Sequence, residues 1–505
     1  MRFPRASGIL LHPTSLPGPH GSGDFGAAAY HFVDWLVAAG QRLWQILPLG
    51  GIGPGNSPYM STSAFAGNVL MIDLAELREH GWLDGAELEA PPFDTRRIDW
   101  AAMVPYRMER LAHAALRFAA QATPGDRAAF HDFCTREAAW LDDYALFMAL
   151  GEQHPNGDWS HWPHALAIRE EAALAAAREQ HAPRIAFWKF TQWCFDRQWH
   201  RLKAYANERG VKIVGDAPIF IAHHSAEAWA RRELFELDSD GRPTVVAGVP
   251  PDAFSATGQR WGNPLYRWKA HAREGYAWWV ERIRKTFEQV DIVRIDHFRG
   301  FVGHWEIPSV EPTAEHGRWV PGPGAALFKA IEGALGPQPI IAEDLGVITA
   351  EVDALRRKFR YPGMRILQFA WGFQDAEPRF QPHNYEHDTV VYTGTHDNDT
   401  TVGWWASVND PARHHLREYF ATDGRAIHWD LIRAACASVA DLAIYPLQDV
   451  LGLDGQHRMN FPGKAEGNWG WRFLWPDVQP EHAQRLARMC VLYARDGKPP
   501  TAGAA

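Results

Sequence analysis

A buried-looking strand ends in charged residues at 293–300, where the sequence reads VRIDHFRG. Because side chains alternate between the two faces of a strand, Arg294 and Asp296 project to the same side. A guanidinium next to a carboxyl group favours the ionised form, so this spacing predicts a carboxylate held as an anion. A structural ion pair at a strand end would have the same spacing, and the remaining strands must decide between these two interpretations.

Acidic residues end further strand-like runs. Glu343 follows the apolar residues of PIIAEDLG, Asp397 ends TVVYTGTHD, and Asp216 lies in VKIVGDAPIF. One such acid could be a helix cap or a turn residue, but several acids gathered in one place repel one another unless their charge is used. Glycoside cleavage uses one carboxylate as nucleophile and one carboxylic acid as proton donor. Coordination of calcium or magnesium by oxygen atoms is the alternative use, and the neighbouring Arg294 and His396 count against a cation.

The elements that must position these acids are eight short β-rich runs, most of them followed by a helical pattern. They are bounded by Gly or Pro and are nearly continuous in apolar residues, which is typical of parallel strands covered by helices. Eight β/α units predict an α/β protein with a (β/α)8 TIM barrel, whose chemistry takes place at the carboxyl ends of the strands. A doubly wound open sheet is the alternative, since a number of strands does not show closure. The runs are residues 8–13, 43–49, 211–220, 291–298, 339–346, 364–371, 389–397 and 442–451.

The uneven spacing of these runs predicts insertions at the rim of the barrel. About 160 residues separate the second run from the third, which is far more than a barrel unit requires. We interpret 51–95 as a rim subdomain inserted after the second strand and 96–204 as a helical insertion subdomain. Residues 221–270 are interpreted as an active-site loop insertion, because a long ordered loop at this rim is more often functional than accidental. The catalytic barrel would then comprise 1–50 and 205–500.

The composition is that of an ordinary globular protein. The chain has 505 residues, of which 46% are hydrophobic and 22% charged, with a net charge of −9. Without basic runs or a membrane-length apolar segment, we expect neither nucleic acid nor a membrane as partner, and we expect a cytoplasmic location. The four cysteines are scattered and form no CxxC motif, which predicts free thiols rather than a zinc or redox site. The 24 tryptophans permit stacking on sugar rings but are also typical of a core.

The acidic segments belong to longer motifs that resemble the four signature regions of the α-amylase clan. These motifs are GDAPIF, VRIDHFRG, AEDLG and TGTHDNDT, and in detail they resemble the 4-α-glucanotransferase family, also called amylomaltase or disproportionating enzyme. LHPTSLPG, SPYMSTSAFAGN, PLQDVLGL, MNFPG and NWGWR extend the resemblance over about residues 7–475. It implies a barrel enzyme that moves α-1,4-glucanyl segments between maltodextrins by a retaining double displacement.

The resemblance also implies a role for each acid. Asp296 would be the nucleophile, Glu343 the general acid/base, and Asp397 the residue that holds the distorted sugar in the transition state. Glu343 must begin protonated, so we expect its pKa to lie above that of Asp296. Retention requires the two carboxyl groups to lie roughly 5–5.5 Å apart. The family's substrate-binding positions match Tyr59, Asp216, Arg294, His396, Ser57, Asp252 and Trp261, although core packing is an alternative for Trp261.

The implied partners are α-1,4-glucans (maltooligosaccharides, starch or glycogen segments), with glucose as an acceptor and with neither cofactor nor metal ion. An α-amylase-like hydrolase with the same carboxylates stays an alternative, as does a non-catalytic maltodextrin-binding protein. The intact acid set argues against a pure binder, because a binder needs no proton donor. The chain departs from the family pattern at Asn56, Met60 and Gly470. We expect these departures to affect acceptor preference or glucan length rather than reaction type.

Overall fold

The central feature of the computed structural model is a sheet of eight parallel strands. The structure describes residues 2–155, 157–251, 255–372 and 377–497. Within these ranges the strands are β1 (Ala6–Leu10), β2 (Leu43–Gln45), β3 (Lys212–Pro218), β4 (Val245–Val249), β5 (Gln259–Pro264), β6 (Ile292–Asp296), β7 (Gly303–Pro308), β8 (Arg318–Pro321), β9 (Ile340–Ala342), β10 (Gly363–Ile366), β11 (Thr389–Tyr392) and β12 (Leu442–Pro446). The eight parallel strands follow the order β10–β11–β12–β1–β2–β3–β6–β9.

The two ends of this sheet come together as a nearly closed barrel. The backbone N–H of Ala342, at the end of β9, donates to the carbonyl oxygen of Pro362, just before β10, over 3.0 Å. Every residue of β1, β11 and β12 is buried, as expected for strands covered on both faces. Each of the eight predicted runs overlaps one barrel strand, so the predicted (β/α)8 barrel is confirmed and the open doubly wound sheet is wrong.

Helices cover the barrel and fill the long segment between β2 and β3. Their starts follow local capping rules: the Asp99 carboxylate accepts from the N–H of Ala102, and the Thr123 hydroxyl accepts from the N–H of Asp126. In the described ranges, no helix is long and apolar enough to cross a membrane. The helices are α1 (Ala27–Ala38), α2 (Leu74–Glu79), α3 (Trp100–Gln121), α4 (Pro124–Gln153), α5 (His164–Ala167), α6 (Glu171–Gln180), α7 (Ala182–Glu208), α8 (Ala226–Ala230), α9 (Trp268–Arg273), α10 (Ala277–Gln289), α11 (Ala325–Leu335), α12 (Ala350–Lys358), α13 (Thr401–Ser407), α14 (Asp410–Phe420), α15 (Ile427–Ala437), α16 (Leu447–Val450) and α17 (Pro480–Leu492).

Aromatic side chains bind the inserted helices to the barrel. Trp82, Phe118 and Trp193 form a mutual cluster with ring centroids 5.1–5.7 Å apart. Trp199 in α7 is fully buried, and its Nε1–H donates to the carbonyl oxygen of Gln289 at the end of α10 over 2.8 Å. Large buried rings contribute strongly to core stability. A substantial part of the aromatic content is therefore structural.

A second, antiparallel sheet lies beside the carboxyl ends of the barrel strands, with the order β5–β4–β7–β8. The turn-rich composition predicts a loop over 248–264, but this segment contains the end of β4 and all of β5. The difference arises because β4 pairs with β7, about 60 residues further along the chain, and local propensity cannot indicate such a pairing. Trp261 lies in β5 and is therefore held by a sheet rather than by a loop.

The close approach of β1 to β2 generates a stability prediction. A Cβ atom at Gly8 would lie 2.3 Å from Cβ of Leu43, whereas one at Gly333, inside α11, would have nothing within 4 Å. We expect Gly8→Ala to lower the free energy of unfolding by about 1–3 kcal/mol through overpacking. Gly333→Ala should raise it by about 0.5–1 kcal/mol because alanine is the better helix former. Chemical denaturation of both variants measures the difference, and equal stabilities would contradict the tight contact of β1 with β2.

Candidate active site

A buried arginine joins two of the acids at the carboxyl ends of the strands. Asp216 in β3 and Arg294 in β6 are register partners, and Nη1 of Arg294 donates to both carboxylate oxygens of Asp216 over 2.8 and 2.6 Å. Nη2 of Arg294 lies 3.0 Å from Oδ1 of Asp296. The side chains of Arg294 and Asp216 are 4% and 0% exposed. The guanidinium therefore occupies the position between the two carboxylates that a metal cation would need.

The surroundings of Asp296 shift the pKa of its carboxyl group in opposite directions. Burial raises the pKa of its carboxyl group, Arg294 opposes this shift, and the charge of Asp216 adds to it. Arg294 therefore acts in the direction predicted from the sequence, but the net pKa is raised rather than lowered. The Asp296 side chain keeps 31% of its surface exposed, so it faces the open cleft while Asp216 is enclosed behind it.

Glu343 is held against the same wall by backbone groups instead of a cation. Its Oε2 accepts from the N–H of His297 over 2.7 Å, and its Oε1 accepts from the N–H of Leu345 over 2.8 Å. His297 directly follows Asp296 and adopts a left-handed conformation (φ 52°), as part of the turn that leaves β6. Burial raises the pKa of Glu343 to about 7, and the negative charge of Asp296 adds to the shift. Glu343 is therefore suited to carry a proton at neutral pH.

A hydrogen-bonded chain connects Asp216 with the third acid. Oη of Tyr59 donates to Oδ2 of Asp216 over 2.8 Å and lies 2.9 Å from Nε2 of His396. With the tyrosine hydroxyl hydrogen directed to Asp216, Oη can only accept from His396, which requires a hydrogen on Nε2. The same nitrogen lies 3.3 Å from Oδ2 of Asp397. Ser57 supports the chain, since its Oγ accepts from the N–H of Tyr59 over 3.2 Å.

Asp397 is fixed by residues that the sequence motifs did not single out. Nδ2 of Asn460 donates to its Oδ1 over 2.6 Å, and Nη2 of Arg458 donates to its backbone carbonyl oxygen over 3.0 Å. Burial raises the pKa of Asp397, but His396 and Asn460 outweigh it, so the net pKa lies below its ordinary value. The MNFPG segment contains Asn460, but no spacing in the sequence relates this segment to Asp397.

A small pocket adjoins His396 and was not predicted from the sequence. It is lined in part by His12, Asp399 and Arg458. Burial, together with the neighbouring His396, lowers the pKa of His12 to about 3, so this imidazole is neutral. The LHPTSLPG motif includes His12, but its resemblance to the family carried no role for the histidine.

The remaining predicted binding residues are at different depths. Trp261 is partly buried and lies edge-on to His297, with ring centroids 4.9 Å apart, so it is next to the residue that follows Asp296. Asp216 is enclosed by Arg294 and Tyr59 and directs no surface of its side chain into the cleft. Asp252 lies outside the described residues. The structure thus brings together six of the predicted binding residues around the three acids.

A barrel with a proton-carrying glutamate beside an arginine-paired aspartate belongs to the class of (β/α)8 enzymes that act on glycosidic bonds. The family model described as 4-alpha-glucanotransferase matches residues 11–476. A 4-alpha-glucanotransferase of Thermus thermophilus is 51% identical over 498 residues, covering 97% of this chain and 99% of that protein. A 4-alpha-glucanotransferase from Synechocystis is 47% identical, and the match covers 97% of this chain and 98% of that protein.

Among solved structures, the amylomaltase from Streptococcus agalactiae in complex with acarbose superposes with a TM-score of 0.94. It is 38% identical and covers 97% of this chain and 99% of that one. The chain belongs to the 4-alpha-glucanotransferase family. The family and the glucanotransferase function predicted from the motifs are thereby confirmed.

The environment of Glu343 generates a prediction that needs no substrate. We expect its carboxyl group to titrate near pH 7 and to be protonated below that value, because burial and Asp296 both disfavour its anion. Asp296→Asn removes the neighbouring negative charge and should lower this pKa. Infrared difference spectra of the protonated carboxyl band over a pH series measure the shift, with Glu343→Gln as the control that lacks the signal. A wild-type titration at the ordinary glutamate pKa would contradict the assigned environment.

Proposed function

We propose that this enzyme transfers α-1,4-glucanyl segments by a retaining double displacement with Asp296 as nucleophile. The observation that carries the proposal is the contrast between two carboxyl groups on one wall. Asp296 lies 3.0 Å from a guanidinium that favours its anion, whereas burial and the charge of Asp296 raise the pKa of Glu343 to about 7 against the opposing effect of two backbone N–H donors. When the environments of two carboxyl groups keep one ionised and the other protonated, the ionised group is assigned as the nucleophile or base and the protonated group as the acid.

In the first step, an oxygen of ionised Asp296 forms a bond to the anomeric carbon while the glycosidic bond breaks. Glu343 gives its proton to the departing sugar oxygen and becomes an anion. In the second step, Glu343 takes the proton of the acceptor's 4-hydroxyl group, whose oxygen displaces Asp296. Asp397 accepts hydroxyl hydrogens of the distorted sugar, since His396 and Asn460 keep it ionised and oriented.

The proposed substrates are maltooligosaccharides and the outer segments of starch or glycogen, with glucose as the smallest acceptor. The related amylomaltase of Streptococcus agalactiae binds acarbose, which supports an oligosaccharide ligand for this cleft. Tyr59, His396, Arg294 and Trp261 would contact the glucan, with Ser57 and Asp216 fixing their positions and Asp252 as a further contact. Hydrolysis shares the first step, so positioning of the acceptor decides the outcome.

We also propose the division of the chain made from the sequence. The barrel would comprise 1–50 and 205–500, with a rim subdomain at 51–95, a helical subdomain at 96–204 and an active-site insertion at 221–270. The fold supports it, because α3, α4 and α7 fill the segment between β2 and β3. For the location we propose the cytoplasm, where free thiols such as those of the four cysteines are stable.

Substitution of the two acids tests their roles separately. With α-maltotriosyl fluoride, Glu343→Gln should still form the glycosyl-enzyme, because fluoride leaves without a proton, and the intermediate should persist for lack of a base. Mass spectrometry should then locate one maltotriosyl unit on Asp296. The matched control Asp296→Asn should fold normally and carry no label. A label on another residue, or near-normal turnover of Asp296→Asn, would remove Asp296 from the nucleophile role.

Product analysis distinguishes the transferase from the hydrolase. With maltotriose alone, we expect glucose together with maltopentaose and longer maltodextrins, and almost no increase in reducing ends. A transferase must position a sugar hydroxyl well enough to outcompete water. Such positioning can be worth an effective concentration of about 10⁵ M or more. Added glucose should shift the products towards short chains, because it competes as acceptor. Maltose and glucose alone at early times, with steadily rising reducing ends, would instead identify a hydrolase.

A further inference from the structure

An exposed aromatic pair lies on the outer strands of the antiparallel sheet. Trp319 in β8 is 43% exposed, although tryptophan is usually well covered. It is the register partner of Trp305 in β7, and the two ring centroids are 5.3 Å apart. The orientation of the Trp305 ring is fixed, since its Nε1–H donates to the carbonyl oxygen of Ala314 over 2.9 Å. The ring of Trp319 is thus held in place by a partner but is left open to solvent.

Arg299 connects this tryptophan with the wall that carries the two reacting acids. Its guanidinium carbon lies 3.8 Å from the ring centroid of Trp319. Its Nη1 donates to the carbonyl oxygen of Val347 over 2.6 Å. Arg299 is in the turn that follows Asp296, and Val347 is in the loop that follows Glu343. The aromatic pair therefore continues the active-site wall on the side of Glu343.

The polar atoms of Arg299 are incompletely paired. Its Nε is buried without a hydrogen-bond partner among the described residues. Burial lowers the pKa of its guanidinium, and no acidic neighbour contributes to the shift. Val347, next to it, is 64% exposed. A flat ring, a partly exposed guanidinium without an acidic partner and an exposed apolar side chain thus lie side by side, and this combination suits a neutral ligand with flat apolar faces.

We propose that Trp319 and Arg299 form a platform for the part of an α-1,4-glucan that lies beyond the cleavage point, on the acceptor side. This rests on the proposed function, in which Glu343 gives its proton to the departing sugar. The departing segment, and later the acceptor, must therefore lie against the loop that begins at Glu343. A chain of several glucose units leaving along this loop passes Val347 and stacks on Trp319. We expect a single glucose acceptor, bound next to Glu343, to end before Trp319.

The length of the acceptor tests the platform directly. The donor is α-maltotriosyl fluoride blocked at its terminal 4-hydroxyl, so that it cannot itself accept, and the acceptors run from glucose to maltopentaose. In the wild type, we expect the acceptor KM to fall as the acceptor lengthens. In Trp319→Ala, the KM for maltopentaose should rise about three- to tenfold, as expected for one lost stacking contact, while the KM for glucose should change far less. Trp319→Phe keeps a ring and should recover most of the effect.

Tyr205→Ala is the matched control. Tyr205 is also stacked under an arginine, with the guanidinium carbon of Arg209 3.3 Å from its ring centroid. It lies near the end of α7, just before β3, at the opposite end of the barrel from the acids. This substitution should alter neither KM. If Trp319→Ala does not fold, Trp319→Leu keeps an apolar side chain without the flat ring and carries the same prediction.

The outcomes distinguish a glucan platform from a structural defect and from a contact between copies of the chain. An unchanged KM for maltopentaose in Trp319→Ala overturns the platform, as does an equal rise for glucose and maltopentaose, which indicates a general structural defect. A change of mass in sedimentation on substituting Trp319 would identify the surface as a contact between copies, and it also overturns the proposal. If the wild type transfers to no acceptor at all, the proposed function fails instead.

Discussion

The charge of Arg294 is the constraint on which the rest of the active site depends. A guanidinium that is 4% exposed cannot stay in the barrel without negative partners, and Asp216 and Asp296 supply them. Leaving such a buried charge with no partner costs about 3–5 kcal/mol, and with two carboxylates Arg294 keeps one partner when the other is removed. Arg294 therefore fixes two acids at once. It holds Asp216 as a support inside the wall and Asp296 as the group that faces the cleft.

A series of polar contacts continues from Asp216 to the opposite side of the cleft. Tyr59 donates to Asp216, Nε2 of His396 lies 2.9 Å from Oη of Tyr59, and the same nitrogen lies 3.3 Å from Asp397. Each polar group in this chain has a partner, as buried polar networks require. The position of Asp397 thus depends on an arginine that it does not touch. Such a network explains how side chains from β3, β6 and the loop after β11 can share one geometry.

Glu343 needs the reverse electrostatic environment. Backbone N–H groups orient its carboxyl group, while burial and the nearby Asp296 keep its pKa at about 7. The two acids therefore differ in what surrounds them, although both end neighbouring strands of one sheet. This difference is what the proposed roles of nucleophile and proton donor require at neutral pH. The antiparallel sheet carries Trp261 on one edge strand and Trp319 on the other, and Trp261 contacts the residue that follows Asp296.

The sequence by itself determined the barrel and the family, and it predicted which acids end the barrel strands at the candidate site. Apolar runs ended by Asp296, Glu343 and Asp397 are local features, and the motifs around them are contiguous in the chain. The tertiary structure decided what is non-local. The pairing of β4 with β7, the contact of Asn460 with Asp397 and the stacking of Arg299 on Trp319 join segments that local periodicity treats separately. It also raised the net pKa of Asp296, because the spacing to Arg294 shows the nearby cation but neither the partial burial nor the charges of Asp216 and Asp397 that together outweigh it.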